Sequence, residues 1–205
     1  MPFRIAVLVS GEGSNLQALI DELAGGSIEI VGVASSRDDA RGLQRAEAVG
    51  IPTAVFSLAD EPDRAKRDDA LAGWLDEHEV QLVVLAGFME LLTPDFIRRF
   101  SGRIVNVHPA LLPAFPGLGA IEQALEHGVK VAGVTVHFVD EGVDSGPIVL
   151  QEAFELPYHR DISATRQHFH DVEHRLLPRA VRLIAAGRVS LDPDNPRLVR
   201  VESDG

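Results

Sequence analysis

Asn106, His108 and Asp144 have the residue types and spacing of a site that acts on a carbonyl group. Asn106 and His108 alternate with Val105 and Val107 at the end of a predicted strand, so both polar side chains point to the same side. An amide N–H₂ and an imidazole placed side by side can both donate to the oxyanion that forms when a nucleophile attacks a carbonyl. A carboxylate such as Asp144 can hold that imidazole in its protonated form or in the useful tautomer.

The same residues also have an interpretation without catalysis. A histidine directly before Pro109 can satisfy backbone groups of the following loop, and Asp144-Ser145-Gly146-Pro147 is good turn chemistry. Nothing in the sequence itself brings Asp144 to His108 in space. Both interpretations stay open at this point.

A glycine-rich loop, Ser10-Gly11-Glu12-Gly13-Ser14-Asn15, is the second candidate site. It lies between the first predicted strand and the first predicted helix, where free backbone N–H groups and the helix dipole favour an anion such as phosphate. The loop lacks the third glycine of a dinucleotide fingerprint, because Leu16 follows Asn15, and it lacks the lysine of a P-loop. The alternative is a plain turn in which Ser14 or Asn15 caps the helix.

The elements that position these residues follow a βαβ rhythm. Short apolar runs predict strands at residues 3–10, 28–35, 53–56, 82–86 and 103–107, and amphipathic stretches predict helices at 15–24, 40–49, 63–79 and 94–100. Near-continuous Val, Ile and Leu in these strands indicates burial on both faces, as in a parallel sheet. Residues 131–139 and 148–154 predict paired strands, and residues 162–186 a closing helix. Ligands bind at the carboxyl ends of such strands, where Asn106 and His108 lie.

Composition indicates one domain, expected at residues 1–188, followed by an extended tail at residues 189–205. The 205 residues are 45% hydrophobic, contain no cysteine and carry a formal net charge of −12 spread along the chain. That charge argues against nucleic acid or an anionic membrane surface as partner, and the missing cysteines exclude Cys-based zinc sites. No apolar run approaches the roughly 18 residues of a membrane span, so a cytoplasmic location is expected. The sequence leaves a homodimer open.

Four motifs resemble one enzyme family and follow its order. They are Ser10-Gly11-Glu12-Gly13-Ser14-Asn15-Leu16, Leu85-Ala86-Gly87-Phe88-Met89, Asn106-Val107-His108-Pro109-Ala110-Leu111-Leu112-Pro113 and Asp144-Ser145-Gly146-Pro147. Together they look like the phosphoribosylglycinamide formyltransferases, over about residues 3–190. The Asn-x-His-Pro segment and the later aspartate are shared across folate-dependent formyltransferases, whereas the N-terminal loop points to the enzymes that act on glycinamide ribonucleotide.

This resemblance implies a Rossmann-like formyltransferase fold: three layers, with a mostly parallel twisted sheet and helices on both faces. It implies formyl transfer from 10-formyltetrahydrofolate, as co-substrate, to the amine of glycinamide ribonucleotide in purine (IMP) synthesis. The catalytic residues carried over are Asn106, His108 and Asp144. No metal is required by this chemistry.

The resemblance also implies two binding sites. In the site for glycinamide ribonucleotide, the phosphate contacts map onto Gly13, Ser14 and Asn15. An acidic contact to the same substrate maps onto Glu173. Folate contacts map onto Arg64, Met89, Glu90, Leu91, Leu92, Asn106, Asp140, Glu141, Gly142, Val143 and Asp144.

Two residues depart from the family pattern. Gly119 stands where a polar residue, often histidine, is common shortly after the Pro-Gly turn. Its presence removes a secondary proton handler. Glu90 stands where a basic residue is common, which bears on how the folate is held.

Other functions compete with this hypothesis. Formyltetrahydrofolate hydrolase and methionyl-tRNA formyltransferase share the Asn-His-Asp core but usually carry an added regulatory or tRNA-binding domain, which is not expected in a chain of this length. A binding module for phosphate or folate ligands could retain the fold without turnover. His170-Asp171-Val172-Glu173-His174 fits the H-x-x-E-H pattern of one class of zinc peptidase, although a third ligand would have to come from elsewhere. A nicotinamide-dependent reductase, with Ser35-Ser36-Arg37 at a 2′-phosphate, is disfavoured by the missing glycine.

Overall fold

A computed structural model of the chain describes residues 1–156 and 162–202. Its strands are β1 (Phe3–Val9), β2 (Ile28–Ser35), β3 (Thr53–Val55), β4 (Leu82–Leu85), β5 (Ile104–His108), β6 (Val131–Phe138), β7 (Ile148–Glu155), β8 (Val189–Leu191) and β9 (Val199–Val201). Its helices are α1 (Ser14–Leu23), α2 (Arg41–Ala48), α3 (Arg64–Glu77), α4 (Pro94–Arg99), α5 (Ala120–Glu126) and α6 (Ile162–Ala185). Every strand and helix predicted from the sequence is present.

Seven strands form a mostly parallel sheet in the order β3-β2-β1-β4-β5-β6-β7. β1 runs parallel to β2 and β4, β2 to β3, and β4 to β5, whereas β6 and β7 are antiparallel. Parallel neighbours need long crossovers, which is why helices separate the strands in the first half of the chain. The prediction of an α/β fold around a mostly parallel sheet is confirmed.

The chain divides into two compact units, Met1–Asn106 and Val107–Gly205. In the first, residues 5–9 of β1 are completely buried, together with Leu16 and Leu19 of α1 and Leu75 of α3. Asp63 starts α3 by accepting hydrogen bonds from the backbone N–H groups at positions 65 and 66. The apolar run of β1 and the capping residue of α3 can both be read from the sequence. These features fix where the strand and the helix lie.

The second unit is built on the β6–β7 hairpin and the long helix α6, which lies against it. Phe169, Val172 and Leu176 form part of the buried face of this helix. The sequence did not predict α5, which begins directly after Gly119 and has only seven residues. A helix of two turns offers too few periodic positions for an amphipathic pattern to stand out.

The segment expected to be an extended tail contains a small hairpin, because β8 and β9 pair antiparallel. Asp192 forms its turn by accepting hydrogen bonds from the N–H groups of Asp194 and Asn195 at 2.9 and 3.0 Å. Arg200 also donates to Asp192. The Asp, Asn and Pro residues of this segment thus form a turn between two short strands. Residues 203–205 of the predicted tail lie outside the described residues.

Over residues 1–156 and 162–202, every helix is too short or too polar to cross a lipid bilayer.

Candidate active site

Strand β5 carries Asn106 and His108 at its carboxyl end, as the sequence predicted. Asn106 stands beside Leu85 of the parallel strand β4 and is half-buried, whereas His108 is 5% exposed. A side-chain period of two places both polar groups on one face of the strand. Burial of these groups means that their polar atoms must find partners within the protein or in a ligand.

Asp144 lies next to His108, which the sequence did not establish. One carboxylate oxygen of Asp144 is 3.3 Å from Nδ1 of His108. The backbone N–H of Gly117 donates to the same oxygen at 2.7 Å. The turn interpretation of Asp144-Ser145-Gly146-Pro147 and the catalytic one are therefore compatible, because the turn delivers the carboxylate to the imidazole.

His137 is a third member of this cluster that sequence reasoning missed. Its Nε2 lies 3.5 Å from the other carboxylate oxygen of Asp144, and its Nδ1 lies 2.8 Å from the carbonyl oxygen of Phe138. The side chain is 2% exposed. The available signal was the alternation of Thr135 and His137 in the otherwise apolar strand β6, which puts two polar residues on one face.

Both ring nitrogens of His108 face oxygen atoms. Its Nε2 lies 2.8 Å from the carbonyl oxygen of Phe115, and its Nδ1 faces the Asp144 carboxylate. A backbone carbonyl oxygen can only accept, so Nε2 carries the proton in its contact with Phe115. The Nε2–H is thus directed at a backbone carbonyl in this structure.

Asp144 is held as an anion by its neighbours. Burial by itself would raise the pKa of Asp144. Hydrogen bonds from His137 and from the Gly117 N–H, with the charges of both histidines, outweigh it and lower that pKa to about 2. The backbone at Asp144 is left-handed (φ 49°), and a Cβ at Gly146 would come within 1.9 Å of the Phe138 carbonyl oxygen. The turn therefore needs glycine at position 146 to place the carboxylate.

We expect the folded protein to depend on this carboxylate in acid. The pKa of Asp144 is lower in the folded chain than the ordinary 3.8, so its stabilising contribution is complete above that value and is lost as the pH falls towards 2. Urea unfolding of wild type and Asp144→Asn should give a difference in free energy that is constant above about pH 5 and shrinks below about pH 4. A difference independent of pH would contradict this assignment.

Thr135 organises the loop that leaves β5. Its buried hydroxyl donates to the carbonyl oxygen of Ala110 at 2.6 Å and accepts from the N–H of Leu112 at 3.2 Å. The side-chain amide of Gln151 donates both to this hydroxyl and to the Leu112 carbonyl oxygen, each at 2.9 Å. These bonds fix the chain just after His108, so the imidazole leaves the strand in a defined direction.

The N-terminal loop is shaped by helix α2. Gly13 has a left-handed backbone (φ 70°), and a Cβ there would lie 2.6 Å from the Cα of Gly42. The N–H of Gly42 donates to the Gly11 carbonyl oxygen, and Arg45 donates to the Glu12 carbonyl oxygen. The helix cap is Gly13 itself, with no side-chain cap bond, so the interpretation of Ser14 or Asn15 as a capping residue is wrong. Ser14 and Asn15 instead occupy the first turn of α1, a position where backbone N–H groups can donate to an anion.

Replacing Gly13 by alanine should therefore cost more than a left-handed alanine alone. Gly50 also has a left-handed backbone (φ 75°), but nothing lies within 4 Å of a Cβ built there. We expect Gly50→Ala to lower the free energy of unfolding by about 1 kcal/mol and Gly13→Ala by about 3 kcal/mol, because only the latter adds a backbone clash. Equal losses in urea titrations would mean that the loop moves away from α2 freely.

The remaining residues carried over from the family lie in both units. In the first unit, Arg64 opens α3 and is exposed, Met89 and Leu91 are 62% and 58% exposed, and Glu90 and Leu92 are half-buried. In the second, Asp140 accepts from the Gly142 N–H and the Ser145 hydroxyl, while Glu141 and Val143 are exposed.

Glu173 is 4% exposed on α6 and lies 3.0 Å from Nδ1 of His170. This contact holds the pKa of His170 above its ordinary value. The His170 and His174 rings stack with centroids 6.1 Å apart. Within residues 1–156 and 162–202, no three His, Cys, Asp or Glu side chains are grouped to hold a metal ion.

Gly119 also has a structural reason in this chain. It caps the N-terminus of α5 with a left-handed backbone (φ 70°), a conformation that a histidine would adopt at a cost.

The sequence matches the family described as formyl transferase over residues 3–181. It is 46% identical over 188 residues to the trifunctional purine biosynthetic protein adenosine-3 of Drosophila pseudoobscura pseudoobscura, covering 90% of this chain and only 14% of that protein. It is 39% identical to phosphoribosylglycinamide formyltransferase of Bacillus subtilis, covering 87% of this chain and 93% of that enzyme. The chain thus spans about a seventh of the trifunctional relative and nearly all of the bacterial one.

A solved structure has the same fold. Glycinamide ribonucleotide transformylase 1 from Symbiobacterium toebii superposes with a TM-score of 0.93 at 46% identity, covering 98% of this chain and 95% of that chain. The Rossmann-like formyltransferase fold implied by the four motifs is confirmed by this similarity. On the combined evidence of the matched residues, the identities and the shared fold, the chain belongs to the formyl transferase family.

Proposed function

We propose that this chain transfers the formyl group of 10-formyltetrahydrofolate to the amine of glycinamide ribonucleotide. The observation that carries the proposal is the cluster at the end of β5, where the Asp144 carboxylate lies 3.3 Å from a buried imidazole. Family membership supplies the reaction class, and the N-terminal loop supplies a place for a ribose phosphate. A cytoplasmic location, a homodimer and a single domain at residues 1–188 stay predictions.

In the proposed reaction, the substrate amine attacks the formyl carbon, a C–N bond forms, and the carbonyl oxygen becomes an oxyanion. Asn106 donates its amide N–H and His108 its Nε2–H to that oxygen. Because Nε2–H is directed at the Phe115 carbonyl in the free protein, the oxyanion must take the place of that carbonyl. Collapse of the intermediate breaks the bond between the formyl carbon and N10 of the folate.

One proton must leave the attacking amine, and one must reach the departing folate nitrogen. With a pKa of about 2, Asp144 is ionised at neutral pH and is too weak a base to keep a proton. It therefore acts as a relay, directly or through a water molecule, and as the charge that stabilises the His108 cation. Proton and bond counts balance, since the amine loses the proton that the folate nitrogen gains.

The binding residues are proposed from the family pattern. Gly13, Ser14 and Asn15 bind the phosphate of glycinamide ribonucleotide, and Glu173 contacts the same substrate. The apolar side chains of Met89 and Leu91 are exposed, as a wall for the folate ring requires. The other proposed folate contacts are Arg64, Glu90, Leu92, Asn106, Asp140, Glu141, Gly142, Val143 and Asp144.

The test is an assay of purified protein with both substrates. Formylated glycinamide ribonucleotide should appear in equal amount to the tetrahydrofolate produced. Formate released without glycinamide ribonucleotide would instead identify a hydrolase. Binding of both ligands with neither product would identify a binding module.

A further inference from the structure

Arg67 is the largest side chain buried to this extent in the described chain and is not part of the proposed chemistry. Its side chain is 1% exposed, as is the whole of its neighbour Asp68. Nε of Arg67 donates to Asp68 at 2.8 Å. A guanidinium and a carboxylate are costly to remove from water, so they stay in the interior only when they have partners. Their other partners belong to the segment between β4 and α4.

The part of this segment that concerns us is residues 89–93. The buried pair of Arg67 and Asp68 holds its second half by hydrogen bonds. Nη2 of Arg67 donates to the Leu91 carbonyl oxygen at 3.2 Å. The N–H of Thr93 donates to the second carboxylate oxygen of Asp68 at 2.6 Å. Among the described residues, Nη1 of Arg67 has no hydrogen-bond partner, and it lies 3.7 Å from the carboxylate of Glu90. The Arg67 guanidinium thus meets the segment through both Leu91 and Glu90.

The first half of the segment is held by hydrogen bonds to Ser10, directly after β1. The Ser10 hydroxyl accepts from the N–H of Met89 at 2.9 Å and shares a hydrogen bond with Ser36 at 2.7 Å. The Ser10 N–H donates to the Gly87 carbonyl oxygen. With its backbone held at both ends, the segment still presents Met89 and Leu91 to solvent. Rigid backbone under exposed apolar side chains is suited to binding a flat ring without loss of loop entropy.

We propose that Arg67 is a positioning residue that fixes residues 89–93 for folate binding through its ion pair with Glu90 and its bond to Leu91. This rests on the proposed function. The ion pair between Arg67 and Glu90 also accounts for Glu90 in place of a basic residue, because the buried guanidinium of Arg67 neutralises the Glu90 carboxylate. Arg67 and Asp68 lie in one turn of α3. This helix therefore holds residues 89–93 in place, and residues 89–93 provide the surface that contacts the folate.

A lysine at position 67 provides the sharpest test, because it keeps the positive charge but has no planar fork to reach Asp68 and Leu91 together. Arg67→Lys should raise KM for 10-formyltetrahydrofolate about tenfold and leave KM for glycinamide ribonucleotide unchanged. Hydrogen exchange should speed up in the peptide that covers residues 89–93. Arg99→Lys is the matched control, since Arg99 pairs with Asp69 and Asp76 and its guanidinium forms no hydrogen bond or ion pair with residues 89–93 among the described residues. It should change neither quantity.

Glu90→Gln tests the ion pair between Arg67 and Glu90. Because Glu90 is only half-buried, this substitution leaves the protein interior intact. Its effect on KM for the folate should differ at least about threefold between the wild-type and Arg67→Lys backgrounds, as expected for coupled residues. Equal effects in both backgrounds, or an unchanged folate KM in folded Arg67→Lys, would overturn the proposal. If wild type forms no formylated product, the proposed function fails, whereas the exchange experiment still decides whether Arg67 holds the segment. Unchanged exchange in Arg67→Lys would overturn that role as well.

Discussion

Asp144→Asn is expected to lower kcat about a thousandfold while both substrates still bind. Asparagine keeps the shape of the side chain, but it has no negative charge to stabilise the His108 cation. Its amide N–H₂ also cannot accept from the Gly117 N–H and from both imidazoles as the carboxylate oxygens do. Loss of the cation weakens donation to the oxyanion and removes the proton relay in one step.

The measurement is steady-state kinetics at neutral pH with both substrates varied, supported by equilibrium binding of each. Asp95→Asn is a suitable control, because Asp95 is an exposed carboxylate of α4 that pairs with Arg98. It should retain wild-type kcat. A kcat for Asp144→Asn within about threefold of wild type would remove Asp144 from the mechanism.

The Phe115 carbonyl gives the site a resting arrangement. It satisfies Nε2–H of a buried histidine, which would otherwise be left without an acceptor. Phe115 itself has a left-handed backbone (φ 54°), and its loop neighbour Gly117 donates to Asp144. One short loop therefore contacts both His108 and Asp144. A substrate oxygen that replaces the carbonyl gains the Nε2–H as a donor, and the loop must shift to release it.

The parallel strands could be anticipated because their residues are buried on both faces. A run such as residues 5–9 of β1 has no polar position, so length and flanking glycine are enough to identify it. Helix α5 and the β8–β9 hairpin were missed for a different reason. Both are held by single residues in special roles, Gly119 as a cap and Asp192 as a turn acceptor, and neither generates a periodic pattern.

In the site, the sequence predicted which residue types are present better than it predicted which side chains contact each other. Asn106 and His108 were visible because they end a strand, yet their relation to Asp144 depends on a turn far along the chain. His137 and Arg67 were missed because a polar residue inside an apolar strand or a helix is ambiguous until its partner is known. Those partners lie 7 and 23 residues away in sequence, beyond any local pattern.

Asn106→Ala is expected to lower kcat about a hundredfold to a thousandfold, the usual loss when one oxyanion donor is removed. Asn106 lies within β5, so the sheet fixes its position. KM for either substrate should change little, because the interaction strengthens only as charge develops on the oxygen. Asn195→Ala, in the exposed turn between β8 and β9, removes an amide that accepts from the Arg197 N–H and should leave kcat unchanged.

Asn106→Asp separates donation from packing. Aspartate fills the same volume but presents only acceptors when ionised, so it would repel the oxyanion that asparagine stabilises. If Asn106 acts as a donor, the aspartate variant must be at least as slow as the alanine variant, despite its better fit. If Asn106 only fills space beside Leu85, the aspartate variant should instead retain most of the wild-type kcat, and the oxyanion would then depend on His108 alone.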